Sequence, residues 1–315
     1  MNGWGRTAAG KQRWRCGRCL KSGIRRRADN RRRSRRALFL SWVGGKGTVV
    51  DAAGGAGVSE RTLRRWFSPF WKRPPHPTGR VRSRVLVVDA VTVVRREAVA
   101  LVAGDPGTSG PVGWAFAARE CRGAWSGFLS GLKRRGANPA CVVSDGQKGL
   151  LKAVREVWPN TLTQRCVVHV HRQAMAWLTR NPKTDAGLRL RPVVSALLLV
   201  VTSAERDAWL DSFRSWEREH GDFLKERTSG ESGWWYTHRR LRAVRSLLRN
   251  ASPNLFRYVD DPSVPRTSNH VEGGLNSRIK ELLRSHRGIT KRQRLALVCW
   301  HLHCRRRGKT TRNVR

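Results

Sequence analysis

Apolar residues along this chain change their period, and the changes mark out its elements. Arg84-Val85-Leu86-Val87-Val88-Asp89 is a short apolar run that stops at a carboxylate, the pattern of a buried strand. Glu97 to Gly104 and Val112 to Arg119 follow as two more strands at hairpin-like spacing. Trp125, Phe128, Leu129 and Leu132 then recur at three- and four-residue steps and line one helix face. A fourth strand, Ala140 to Val143, stops at Ser144-Asp145-Gly146. A helix over Lys148 to Val157 shares Leu150, Leu151, Val154 and Val157 on one face and is broken by Trp158-Pro159-Asn160. Thr161 to Arg165 gives a last short strand leading into Cys166-Val167-Val168-His169.

The order strand, strand, strand, helix, strand, helix, strand predicts a ribonuclease-H-like α/β sheet. Its first and fourth strands would lie side by side and bring Asp89 and Asp145 together. Strand C-terminal ends are where ligands and catalytic groups gather in open α/β sheets. An Asp-Gly after a strand is often only a turn, so the assignment needs the rest of the chain. Residues 170–262 show helical spacing throughout, as in Val193–Val200, Glu205–Glu219 and Trp234–Arg249, and read as an all-helical insertion. In the stretch 264–287, Thr267 or Ser268 can cap a helix on which Asn269, Glu272 and Asn276 share a face.

Before the sheet, residues 37–71 read as a helix-turn-helix. A helix over Ala37 to Val43 is followed by a glycine-rich gap and a short helix from Thr48 to Ala53. Ser59 then caps a recognition helix, with Leu63 and Trp66 packed inward and Arg61, Arg64 and Arg65 facing a DNA groove. Any small basic helix shares some of this pattern. Pro74-Pro75-His76-Pro77 makes a stiff linker behind it. Further upstream, residues 25–36 are a charge run that reads as a solvated linker able to contact phosphates. Cys16 and Cys19 stand at the spacing of a zinc knuckle, but tetrahedral zinc takes four ligands and no second pair lies nearby.

Charge narrows the function. The chain has 315 residues, with 64 Lys+Arg against 22 Asp+Glu and a formal net charge of +42. A folded protein this basic repels itself unless a polyanion neutralises it, and nucleic acid is the first candidate. The longest apolar stretch, Val193 to Val201, is far short of the ~20 residues a membrane span takes, and no membrane partner is expected. Seven cysteines at uneven spacing do not form a disulfide framework, which fits a reducing cytoplasm. Fourteen tryptophans are many; some belong to the core, and others can stack on bases.

The stretches VLVVDAVTV, VVSDGQKGL, QRCVVHVHRQ and PRTSNHVEGGLNSRIKELLRSHRG, in this order, resemble bacterial insertion-sequence transposases of the mutator-like type. The resemblance implies a DDE triad of Asp89, Asp145 and Glu272 that holds two Mg²⁺ (or Mn²⁺) ions. It also matches Cys166 and His169 to the family's C-x-x-H signature, as support for the site wall, and beside them Arg266 and Asn269 are expected to position DNA or the glutamate helix. The implied activity is DNA strand cleavage and strand transfer at the ends of an insertion sequence. Partners would be double-stranded DNA, as terminal inverted repeats and target, and further copies of the chain. A nucleoid-associated bacterial protein of the cytoplasm is implied.

The expected organisation is a basic arm with a partial zinc ribbon (1–36), a helix-turn-helix (37–73), a first core segment (80–172), the insertion (173–262), a second core segment with Glu272 (263–305) and a basic tail (306–315). Two features depart from the family pattern. Ala90 stands where Gly usually follows the first aspartate, and could crowd the site. The first CxxC of a zinc ribbon is missing, which reads as a truncation or misplaced start at Met1. These keep two alternatives open: a truncated, inactive DNA-binding remnant that competes with full-length enzyme, and a structure-specific nuclease on the same fold.

Overall fold

The computed structural model describes residues 1–24, 27–108 and 110–306. All but Arg306 of the tail expected over 306–315 lies outside them, as do Arg25 and Arg26 of the charge run. The elements in chain order are β1 (Asn2–Arg6), β2 (Gln12–Arg15), β3 (Ser22–Ile24), α1 (Arg27–Gly44), α2 (Val49–Gly55), α3 (Glu60–Lys72), β4 (Val85–Val94), β5 (Ala98–Gly104), β6 (Pro111–Ala117), α4 (Arg122–Arg134), β7 (Cys141–Ser144), α5 (Lys148–Val157), β8 (Leu162–Arg165) and α6 (Val167–Leu178). They continue with α7 (Asp185–Ala196), α8 (Ser203–Glu219), β9 (Arg227–Gly230), β10 (Gly233–Tyr236), α9 (Arg239–Ala251), α10 (Arg257–Asp260), α11 (Asn269–Val271), a π-helical turn (Glu272–Asn276), α12 (Ser277–Ser285) and α13 (Lys291–Arg306). No helix among the described residues is long and apolar enough to cross a membrane. The chain divides into two compact units, one of residues 1–76 with 282–304 and one built on 77–281.

In the first unit, β1, β2 and β3 form a three-stranded antiparallel sheet. From Arg27 onward the charge run is helix α1 rather than a linker. Arginine is a good helix former, and the end of the helix is anchored by buried Phe39, Trp42 and Val43. Phe39 lies 4.8 to 5.5 Å, ring centroid to centroid, from Phe67, Phe70, Trp71 and Trp300. Trp300 donates its indole N–H to the Phe70 carbonyl. Thr48 and Asp51 close a capping box on α2, and Ser59 caps α3. The inward face of α3 is Leu63, Phe67, Phe70 and Trp71, not Leu63 with Trp66. Trp66 is half-buried under the Arg35 guanidinium, at 4.5 Å.

The second unit is built on a mixed five-stranded sheet of order β6-β5-β4-β7-β8. β4 pairs antiparallel with β5 and parallel with β7, and β7 pairs parallel with β8. Helices α4 and α5 cover one face, packing Trp125, Phe128, Leu129, Leu150 and Val154 against Leu86, Val88, Leu101 and Val142. The first strand does not end at its carboxylate. β4 runs on to Val94 because Val91-Thr92-Val93-Val94 continue the ladder with β5, so Asp89 sits in mid-strand opposite Val102.

The region over 170–262 is mainly helical but not entirely so. One face of α6 (Val170, Ala174, Leu178) meets Leu190 and Val194 of α7, Trp209, Phe213 and Trp216 of α8, and Val244 and Leu248 of α9. The indoles of Trp209 and Trp216 donate to the Val193 and Ala186 carbonyls, at 2.8 Å each. Within this region β9 and β10 form a hairpin, so Trp234 to Tyr236 is strand rather than helix. The cause is local: Gly230 and Gly233 bracket a two-residue turn between Thr- and aromatic-rich segments, and Gly233 has φ of 109°.

Candidate active site

Strand alternation decides which side chains face the site. Leu86 and Val88 of β4 point to α4 and α5, and Ala90 packs on the same side. Asp89 therefore faces the opposite side, and the methyl of Ala90 points away from it. In β7, Val142 faces the helices, so the alternation carries Asp145, one residue beyond the strand, to the side of Asp89. The parallel register pairs Val87 with Val143, two residues before each aspartate. The two acids stand at corresponding positions on adjacent strands.

The Asp145 turn is fixed by its own side chain. Oδ1 accepts the Gln147 N–H at 2.9 Å, and Gln147 in turn caps α5 by accepting the Leu150 N–H at 2.7 Å. Gly146 has φ of 87°, and a Cβ built there would lie 2.1 Å from Nε of Arg165. The left-handed backbone and the packed arginine both require glycine. Arg165 is buried, with its Nε lacking a hydrogen-bond partner.

The Glu272 segment docks on the Asp89 side of the sheet. A Cβ on Gly104 of β5 would meet His270 and Val271 at 2.9 to 3.0 Å, so the close approach depends on that glycine. Asn269, Glu272 and Asn276 do not sit on a regular α-helix: α11 gives way to the π-helical turn at Glu272. That turn directs Asn276 onto the sheet, where its Nδ2 donates to Oδ2 of Asp89 at 2.8 Å. π-bulges of this kind recur at functional sites.

Burial, together with the negative charges of Asp145 and Glu272, pushes the Asp89 carboxyl up to about 6 against the hydrogen bonds from Asn276 and Ala90. Glu120, which accepts the Trp125 indole N–H at 3.0 Å, is also raised, by burial and by Asp145. Folded Asp89 thus holds its proton more tightly than the unfolded chain does. The protein should lose stability as pH rises from about 4 to 6, where the unfolded state has already ionised. We expect Asp89→Asn to melt a few degrees above the parent at pH 7.5, with the gap closing toward pH 4.5. Thermal melts across this range test the sign, and a parent as stable as the variant at pH 7.5 would contradict it.

Cys166 and His169 lie at the start of α6. The Cys166 Sγ accepts the Ser268 N–H at 3.3 Å, and His169 Nδ1 lies 3.5 Å from Ser268 Oγ. Burial pushes the Cys166 thiol up, but hydrogen bonding to His169 and Ser268 outweighs it and leaves the thiol below its usual value; His169 is raised, chiefly by its bond to Cys166. His169 Nε2 and Arg172 Nη1 approach Oε1 of Glu272 at 3.7 and 3.6 Å. The C-x-x-H pair therefore ties α6 to the glutamate segment. A groove of about 410 Å³ opens here, lined by Arg172, Thr267, Asn269, Glu272 and Lys280 among others. Asn269 is exposed, whereas Arg266 is half-buried, donating to the Leu198 carbonyl at 2.6 Å beneath the Tyr258 ring.

The remaining candidates lie in the first unit. Arg61, Arg64 and Arg65 are exposed on α3, with Arg64 paired to Glu60 at 3.1 Å. Cys16 and Cys19 occupy the turn after β2, where hydrogen bonds from the Cys19 and Arg18 backbone lower the Cys16 thiol. Sequence reasoning missed Glu120, Arg165 and Arg172 as neighbours of the acids, and the bond from Asn276 to Asp89. Among the described residues a separate set, Asp185, Glu219 and His220, clusters within 4.8 Å. Arg189 already binds both of its carboxylates, at 3.0 and 2.6 Å, and supplies the cation there.

Comparison with known proteins identifies the family. A family model described as "Transposase, Mutator family" matches residues 80–288. A probable transposase for an insertion sequence element of Corynebacterium diphtheriae is 34% identical over 139 residues, 42% of this chain and 38% of the relative. The transposase for insertion sequence element ISRM5 of Rhizobium meliloti is 41% identical over 96 residues, 30% of this chain and 24% of the relative. That for IS6120 of Mycolicibacterium smegmatis is 35% identical over 79 residues, covering 25% of this chain and 24% of the relative. The chain thus spans well under half the length of the curated relatives it matches.

Proposed function

The chain belongs to the Mutator family of bacterial insertion-sequence transposases, and we propose that it cleaves DNA at the ends of an insertion sequence and joins the freed strand to target DNA. The observation that carries this reading is the convergence of Asp89, Asp145 and Glu272 on one side of the sheet, close enough for the last two to raise the first. The strand order, with one antiparallel hairpin and two parallel strands around β4, supports a ribonuclease-H-like core assembled from residues 80–172 and the glutamate segment from 263 to 281.

The donor set fits a hard divalent cation. All three groups are carboxylates, and their mutual repulsion is what a cation would relieve. Asp89, Asp145 and Glu272 would hold two Mg²⁺ or Mn²⁺ ions, which when bound lower the pKa of water and offset charge at the reacting phosphate. The protein's own groups then have distinct tasks. Asn276 orients Asp89, the Gln147 N–H fixes one oxygen of Asp145, and His169 with Arg172 restrains Glu272. Both reactions are phosphoryl transfers. In the first, water forms a bond to phosphorus and the 3′ oxygen leaves as a 3′-OH. In the second, that 3′-OH attacks a target phosphate and a target 3′ oxygen leaves.

Duplex recognition falls to α2 and α3, with Arg61, Arg64 and Arg65 on phosphates or base edges and Asn269 at the cleavage site. Cys16 and Cys19 have the spacing of half a zinc site, and by themselves they would not hold zinc well. A pair of element ends must meet for transposition, which calls for at least two copies of the chain. The test is incubation of the protein with Mg²⁺, DNA from the flanks of its gene and a target plasmid. Nicked ends covalently joined to the plasmid are expected. Nicking at branched or flapped DNA with no joined product would identify a structure-specific nuclease instead.

A further inference from the structure

The hairpin of β9 and β10 presents aromatic rings to solvent. Trp234 is 53% exposed and Trp235 38% exposed, whereas Trp209 and Trp216 in the same helical region are buried with their indoles bonded. The exposed rings are interleaved with arginines. The Arg227 guanidinium lies 3.9 Å from the Trp234 ring centre and 5.8 Å from that of Tyr236, while Arg242 covers Tyr236 at 3.4 Å. Alternation and register put Arg227, Trp234 and Tyr236 on one face. On the other face Trp235 lies over Gly230, where a Cβ would come within 2.9 Å of its ring, and near Arg239.

A two-stranded hairpin is marginal alone. This one is fastened at its base by Thr228 and Thr237 hydroxyls 2.8 Å apart and by the Thr237 N–H to the Glu226 carbonyl. Beside that base runs a groove of about 510 Å³ whose lining includes Trp177, Lys183, His238, Arg239 and Arg240. Glu231 is the acid at the hairpin tip.

From this ladder of alternating guanidinium and aromatic groups we infer that the hairpin is a stacking platform for unpaired DNA bases, with Trp234 as the outermost ring and the adjoining basic groove taking the backbone. The chemistry is sequence-tolerant, since every base has a π face, and the arginines add charge complementarity to phosphates. A protein partner would favour a continuous apolar patch, and here each exposed ring has a cation beside it. The inference rests on the proposed DNA activity: cutting a duplex leaves bases near the break without their stacking neighbours, and the hairpin would replace them.

The experiment compares binding of the parent, Trp234→Ala and Trp234→Phe to two duplexes of one sequence, one fully paired and one with an unpaired end containing 2-aminopurine. The parent should quench the 2-aminopurine fluorescence and prefer the unpaired end. Trp234→Ala should lose the quench and between about fivefold and a hundredfold in affinity for that end, with paired-duplex affinity unchanged. Trp234→Phe should keep most of both. Equal quench and affinity in parent and Trp234→Ala would overturn the inference while leaving duplex binding standing. A change in sedimentation mass without a change in DNA binding would make the hairpin a contact between copies and overturn it. Failure of the parent to bind either duplex would overturn the proposed function as well.

Discussion

Asp145→Asn should abolish DNA cleavage while leaving DNA binding close to that of the parent. The substitution keeps the local structure: an asparagine Oδ1 still accepts the Gln147 N–H, so the turn at Gly146 and the Gln147 cap on α5 persist. What it removes is the charge of one of the three carboxylates proposed to hold the metal ions. Metal Lewis-acid catalysis is worth several kcal/mol, and each ~1.4 kcal/mol is tenfold in rate. The expected loss is about a thousandfold or more. Gel-shift and nicking assays on the same DNA separate the two properties. Comparable cleavage by variant and parent would remove Asp145 from the mechanism.

Binding should fall steeply with salt. A chain of formal charge +42 with exposed Arg61, Arg64 and Arg65 on α3 is expected to meet DNA mainly through phosphates. Each neutralised phosphate contributes about −0.9 to the slope of log K against log salt, so six to ten contacts cost about 10³- to 10⁵-fold in affinity between 50 and 200 mM. Replacing the three arginines with alanine should flatten the slope by about 0.9 for each one that reaches a phosphate. Arg64 should contribute least, since Glu60 already pairs with it. Fluorescence anisotropy at a series of salt concentrations measures the slope directly. A flat dependence would mean the interface is not phosphate-dominated.

The parts of the fold that could be read from sequence were those where one residue's environment is set by its near neighbours in the chain. The apolar runs before Asp89 and Asp145 announce buried strands, and Leu150, Val154 and Val157 announce the face of α5. Ser59 announces a cap through its own hydroxyl. The misreadings have a common origin in contacts across distance. Arg27 to Arg36 looks like a linker because its helix is held at the other end, by Phe39 and Trp42 meeting aromatic residues of α3 and α13. Trp234 to Tyr236 fits a helical spacing until Arg227 to Gly230 pairs with it. In the site, the acids are recognisable from motifs, but the π-helical turn that sends Asn276 to Asp89 has no signature in spacing. The i, i+3, i+7 pattern suggested a regular helix face, and the extra residue per turn redirects it.

Ala90 shows how alternation settles a question that a motif raises. The crowding expected of Ala90 would require its methyl to share the carboxylate side. It packs instead with the helices α4 and α5, the side opposite Asp89.

The most direct test of the metal-dependent cleavage proposed for Asp89, Asp145 and Glu272 is a nicking assay on DNA from the gene's own flanks, with and without Mg²⁺, comparing the parent with Glu272→Gln. Nicking at a defined flank position by the parent, dependent on Mg²⁺ and absent from Glu272→Gln, is the predicted result. Salt-sensitive binding with no cleavage by the parent, or equal cleavage by Glu272→Gln, would contradict it.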